Sequence, residues 1–208
     1  MKAMAVISDL VGSRDLSDRR GTQEALGEVL EAINAESEAI ASPYTITLGD
    51  EFQVVYEHAG GIFGDFWRIL ARLYPVKVRF SVGVGQIVTK INPDRALGMD
   101  GPAFHAAREG IETMANKGSL FRVQGDVEMA DFVNESLDLV SKCTRNWQKN
   151  RFDILCCLYR GEEPKEIADR VDLSVRAVYK NIEKGALETV MALTSEIEHM
   201  CQRGLEEQ

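Results

Sequence analysis

Nowhere does the chain approach the run of about 18 consecutive apolar residues that a membrane helix needs. Met1-Lys2-Ala3-Met4 leads straight into a strand-like segment, without a long apolar region or a small-residue cleavage site. The expectation is a cytoplasmic protein with no signal peptide and no membrane contact. Cysteine is scarce: Cys143, Cys156, Cys157 and Cys201 all fall in the last third, and no C-x-x-C occurs. The adjacent pair would project different ways from a helix, so buried free thiols in a reducing compartment are expected. His58, His105 and His199 lie far apart in sequence and suggest no histidine-type metal site. A basic excess is missing too, with 24 Lys/Arg against 33 Asp/Glu and a net charge of −9. Residues 1–142 hold 14 Lys/Arg and 21 Asp/Glu, and residues 143–208 hold 10 and 12, so neither part is basic. Wholesale coating of nucleic acid is excluded, and any charge-driven binding must use a local patch.

What is present is ordinary globular composition, 45% hydrophobic and 27% charged, in 208 residues. That is enough for one full domain and a small second one. Ala3–Leu10 reads as a buried strand, apolar until Ser8 and Asp9. Leu26, Val29, Leu30, Ile33 and Ile40 recur at helical spacing, predicting one amphipathic helix from about Ser17 to Ala41, ended by Pro43. Tyr44–Leu48 and Phe52–Tyr56 are β-rich runs with Gly49-Asp50-Glu51 as a hairpin tip between them. Phe63 to Leu73 mark a second helix stopped by Pro75. Val76–Val88 is a strand broken by Gly83 and Gly85. A glycine-containing loop, Asn92–Pro102, a helix at Ala103–Ala115 and a strand at Leu120–Val123 follow. The order β-α-β-β-α-β-α-β predicts an α+β fold, a ferredoxin-like sheet with packed helices, over residues 1–128. From Met129 no strand signal remains, predicting an all-α part over 129–208.

Asp9 closes the first strand, and Asp50 with Glu51 sits at the hairpin tip, so neighbouring strands would bring these carboxylates together. Carboxylates within a few ångströms repel unless a cation neutralises them, and Mg²⁺ (or Mn²⁺) accepts oxygen ligands while keeping places for phosphates. Gly12-Ser13-Arg14 adds a turn with main-chain N–H groups, a hydroxyl and a cation suited to phosphate. The functional reading is a metal–nucleoside-triphosphate site. The plainer one is an Asp that caps a turn and a solvated hairpin tip.

Ile7-Ser8-Asp9-Leu10-Val11-Gly12 resembles the first metal-binding segment of class III nucleotidyl cyclases, and Thr47-Leu48-Gly49-Asp50-Glu51-Phe52 their second metal-bearing hairpin. The latter differs from the G-G-D-E-F signature of diguanylate cyclases only by Leu48. Val78–Gly85 is similar to the strand that follows in both families. The resemblance covers residues 3–123 and implies a palm-like fold, with Asp9 and Asp50 as metal ligands and the Leu10 carbonyl assisting. It also has departures. Ile46 stands where those cyclases carry a lysine, Gly101 where they carry a base-reading aspartate, and Phe104 where they carry an asparagine. Arg108 alone matches, at the position of their transition-state arginine. As a whole the chain resembles the SatD family, through Ser8–Arg14, Thr45–Gln53, Ile91-Asn92-Pro93, Asp100–Phe104 and Ala107-Arg108-Glu109. That resemblance implies an association with stress tolerance and makes the Asn92–Pro102 loop and Arg108 parts of a distinctive pocket.

Glu163–Gly185 looks like a helix-turn-helix. Ile167, Ala168 and Val171 would form the inner face of its first helix, Asp172-Leu173 the turn, and Ser174 the cap of the second. Val175, Val178 and Ile182 would hold the second helix down, leaving Arg176, Tyr179, Lys180 and Lys184 outward for DNA. One copy would neutralise few phosphates, so DNA binding implies a homodimer. Leu187, Val190, Met191, Thr194, Ile197 and Cys201 are spaced as a dimer seam or, equally, as a face packed on the chain itself. The helix pair could also serve protein interaction. Two functions are thus expected: a DNA-binding regulator whose cyclase-like part binds a metal–nucleotide, or a divergent metal-dependent nucleotidyl cyclase or nucleotidyltransferase. In the second, Glu51 and Arg108 are the catalytic candidates, and Gly12, Ser13, Arg14 and Arg108 hold the nucleotide.

Overall fold

The computed structural model describes residues 1–47 and 49–206, apart from the side chains of Asn116 and Lys117. Leu48, expected to end the strand Tyr44–Leu48, lies outside the described residues. Strands β1 (Lys2–Leu10), β2 (Ile40–Ile46), β3 (Glu51–Tyr56), β4 (Val78–Gln86) and β5 (Phe121–Gly125) form one sheet in the order β2-β3-β1-β4-β5. β1 runs antiparallel to both β3 and β4, and β5 lies parallel to β4. Eight α-helices accompany it among the described residues: α1 (Arg19–Glu36), α2 (Ile62–Leu73), α3 (Pro102–Lys117), α4 (Ala130–Thr144), α5 (Lys149–Tyr159), α6 (Pro164–Arg170), α7 (Val175–Gly185) and α8 (Leu187–Glu206). The protein is a mixed α+β fold.

Period-two alternation along β1 decides which helix lies on which face. Met4, Val6 and Leu10 join the main core beneath α1 and α2, whereas Ala3, Ala5 and Ile7 meet α3. The α3 face is built of small residues, and Gly83 is the clearest case. A Cβ there would stand 1.9 Å from the Ala103 carbonyl oxygen and 2.6 Å from the Ala107 nitrogen. The expectation that Gly83 and Gly85 break the strand is corrected: β4 is continuous, and Gly83 lets the α3 backbone rest on it.

Other boundaries shift for equally local reasons. α1 ends at Glu36 rather than near Ala41, because Ile40 and Ala41 pair into β2, and Pro43 lies within that strand instead of stopping the helix. β2 is an edge strand with register shifts, where a missing N–H is tolerated. The other edge, β5, is covered by α4. Asn134 receives the Val123 N–H at 3.0 Å and donates to the Val123 carbonyl at 2.8 Å, imitating a further strand.

The later helices share the sheet's core. Trp67 on α2 lies 5.0 Å from Phe121 on β5 and 6.2 Å and 6.4 Å from Trp147 and Phe152 beside and within α5, measured between ring centroids. Leu187, Val190, Thr194, Ile197 and Cys201 on α8 are buried against the rest of the chain. Of the two readings of that stripe, packing on the chain itself is the one realised, so the seam is not on offer to a second copy. Cys156, Cys157 and Cys201 are buried free thiols as expected, but Cys143 is exposed on α4. Burial pushes the Cys156 and Cys201 thiols up to about 12.

In α6 and α7, Ile167, Ala168, Val178 and Ile182 are buried, and the Ser174 hydroxyl accepts the Ala177 N–H at 3.2 Å. Val175, the first residue of α7, is exposed and not part of the packed face. Arg176, Tyr179, Lys180 and Lys184 all face solvent. Ser174→Ala is expected to cost about 1 kcal/mol, read as a lower denaturant midpoint in chemical unfolding.

Candidate functional site

Three antiparallel strands bring two of the predicted acids, Asp9 and Glu51, into one row. Asp9 stands directly opposite Glu51 on β3 and opposite Arg79 on β4, so the three side chains share the α3 face of the sheet. Asp50 sits in the turn just before β3, and its carbonyl accepts the Leu10 N–H at 3.1 Å. The Asp9 and Glu51 side chains are therefore neighbours, and the Asp50 backbone is joined to that of Leu10. Glu51 is the first residue of β3 rather than part of the hairpin tip.

Each carboxylate already has a partner. Arg79 grips Asp9 with two hydrogen bonds, Nε to Oδ1 at 2.8 Å and Nη2 to Oδ2. Arg108, rising from α3, holds Glu51 bidentately at 2.5 Å and 2.9 Å. The Ser13 hydroxyl donates to Asp50 Oδ2. The Arg108 hydrogen bonds lower the Glu51 pKa against the opposing effect of burial, and Glu51 in turn raises that of Arg108. Electrostatic repulsion between Asp9 and Glu51 is thus answered by two arginines. Arg79 was not singled out from the sequence, although it lies in the Val78–Gly85 segment that carries the resemblance. Its signal was available in the register, since pairing β1 with β4 sets Arg79 against Asp9.

The surrounding elements complete the site. Gly12 adopts φ 69° and opens a single 3-10 turn, Ser13–Asp15, which leaves Arg14 exposed. The Arg19 guanidinium lies beside Gly49, and Gln23 donates to the Gly49 carbonyl at 3.1 Å, so the start of α1 steadies the turn carrying Asp50. The Asn92–Pro102 loop lies across β2 and β3. Ala96 N–H donates to Thr45 Oγ1 at 2.9 Å, and Gln53 donates to the Ala96 carbonyl. Gln53 and Glu51 alternate onto the same face, so this loop and Arg108 are neighbours there.

Two of the departures from the cyclase pattern, Gly101 and Phe104, are filled interior. At Gly101 a Cβ would stand 2.5 Å from the Gln86 carbonyl oxygen, with φ at 148°, leaving no room for an aspartate. Phe104 is buried with Ala3, Ala5, Val55 and Ile87. Ile46 is exposed at the lysine position.

Among the described residues no group of three or more His, Cys, Asp or Glu has metal-holding geometry. The donors at the strand ends are two aspartates and a main-chain carbonyl, a hard oxygen set whose chemistry fits Mg²⁺ or Mn²⁺ completed by phosphate oxygens. Asp9 would have to exchange Arg79 for the ion.

A mixed sheet carrying a row of carboxylates held by arginines at adjoining strand ends is thus the class defined by fold and site. The SatD family model matches residues 3–195, and the chain belongs to the SatD family. No curated protein matches the chain. No helix among the described residues is long and apolar enough to cross a membrane.

Proposed function

We propose that this SatD-family chain is a regulator in which the sheet binds a metal–nucleotide and the α6–α7 pair reads DNA. The observation that carries the first half is that the end of β1 and the turn bearing Asp50 are joined, Leu10 N–H to the Asp50 carbonyl, with Ser13 of the Gly12–Arg14 turn donating to the Asp50 carboxylate. The strand order β2-β3-β1-β4, with β1 antiparallel to both neighbours, is that of a ferredoxin-like palm and supports the reading. Mg²⁺ or Mn²⁺ on the two aspartates would supply charge for a triphosphate. Ser13, Arg14 and Arg108 supply donors, and Arg79, once exchanged from Asp9, adds another beside the incoming phosphates.

For the DNA half, the support is the exposed row Arg176, Tyr179, Lys180 and Lys184 on a helix capped by Ser174 and held down by its buried Val178 and Ile182. The enzymatic alternative draws on Arg108, but Gly101 and Phe104 offer a purine no base-reading side chains.

Incubating the protein with each nucleoside triphosphate and Mg²⁺ or Mn²⁺ separates the two. The regulator reading expects a raised melting temperature without product, lost in Asp50→Asn. Turnover that disappears in Asp50→Asn would favour the enzyme. For DNA, a specific site from genome-wide pull-down is expected, with affinity lost in Arg176→Ala/Lys180→Ala; no specific site in either pull-down or gel shift sinks this half.

A further inference from the structure

The outer face of α4 is apolar where a surface helix should be polar. Met129, Phe132 and Leu139 are 67%, 59% and 57% exposed, and Cys143 is exposed on the same line. At about 100° per residue, Phe132, Ser136, Leu139 and Cys143 fall within one narrow stripe. Beside it, on one flank, Glu135 stands in the N-terminal half and Lys142 in the C-terminal half, and neither forms an ion pair among the described residues.

We infer that α4 is the contact between two copies of this chain, pairing antiparallel with itself about a two-fold axis. An axis near residues 137–138 sets Phe132 against Cys143 of the second copy and Ser136 against its Leu139. A two-fold places the same flank of both helices on the same side. That register brings Glu135 near Lys142 of the second copy, twice over. One helical pairing therefore serves both the apolar stripe and this charge pair. A parallel pairing about a two-fold axis would put the two charged flanks on opposite sides of the contact and leave Glu135 without Lys142.

This assignment moves the dimer contact from α8, whose stripe is buried in its own chain, to α4, and stands independently of the metal–nucleotide reading. The contact spans a helix of 15 residues. It falls short of the ~800 Å² per partner typical of stable complexes, so association in the micromolar range is expected.

Sedimentation velocity of the full chain from about 1 to 200 µM, without nucleotide or DNA, tests it. The expected result is a concentration-dependent monomer–dimer transition, weakened at least about tenfold by Leu139→Glu. Glu135→Lys and Lys142→Glu should each weaken it by a similar factor, and the double variant should return to within about threefold of the original. All three positions are exposed, and circular dichroism checks that each variant is folded. A monomer across the whole range overturns the inference. So does a dimer indifferent to Leu139→Glu, or charge variants whose double form stays as weak as the singles.

Discussion

Gly83→Ala is expected to destabilise the protein by about 3 kcal/mol or more, a melting temperature lower by roughly 6–12 °C for a chain of this size. The methyl group would meet the backbone of α3 on two sides, at Ala103 O and Ala107 N. Neither is the flexible end of a side chain, so relief requires the whole helix to lift from β4. Lifting α3 also withdraws Arg108 from Glu51, because that pair exists only while α3 rests on the α3 face of the sheet. Gly85→Ala is the matched control. Its Cβ would stand 3.4 Å from Ala103 N, close to ordinary contact, and a change under about 1 kcal/mol is expected. Urea unfolding of both variants measures the difference. Equal stabilities would contradict the close seating of α3.

Stability should fall as pH rises from about 5 to 8. Glu198 on α8 is buried at the N-terminus of α2, where it accepts the Phe63 N–H at 2.8 Å. α2 has no side-chain cap of its own, since Gly61 precedes it, so α8 supplies the missing acceptor. Burial outweighs these hydrogen bonds and raises the Glu198 carboxyl from 4.5 to about 7. Asp65, buried beneath Tyr56, is raised by burial from 3.8 to about 6. Both folded values exceed the unfolded ones, so the protein binds protons on folding. The stabilisation is fully present below the unfolded pKa and is lost as pH climbs through the folded pKa. For Glu198 the loss is on the order of 3 kcal/mol between about pH 4.5 and 7. Glu51, lowered by Arg108, acts oppositely and removes stability only on the acid side. A maximum near pH 5 follows. Glu198→Gln keeps an oxygen for Phe63 and should raise the melting temperature at pH 8 while flattening the slope between pH 5 and 8. A melting temperature that rises from pH 5 to 8 would contradict the burial of these two acids.

Element identity was largely legible in residue pattern, because apolar spacing in β1, β3, α2 and α7 is unambiguous over the lengths involved. Boundaries failed where tertiary pairing overrode local signals. Ile40 fits the α1 spacing yet is drawn into β2, and Pro43 is accepted in an edge strand that has no use for its N–H. Gly83 carried a meaning that spacing could not reveal, since the need for glycine comes from α3, twenty residues downstream. Asp9, Asp50 and Glu51 were found from their places at strand ends. Arg79 was missed as a site residue because its role depends on register across β1 and β4, a non-local fact. Glu198 was missed for the same reason: only the packing of α8 on α2 distinguishes it from the exposed acids along its helix.

Isothermal titration of the full chain with each nucleoside triphosphate, in Mg²⁺ and in its absence, tests the proposed metal-dependent triphosphate site at Asp9 and Asp50. Saturable binding of at least one triphosphate in Mg²⁺ is expected, weakened at least about tenfold without the ion or in Asp9→Asn and Asp50→Asn. Binding that persists unchanged in both variants, or no binding of any triphosphate with the ion present, would contradict it.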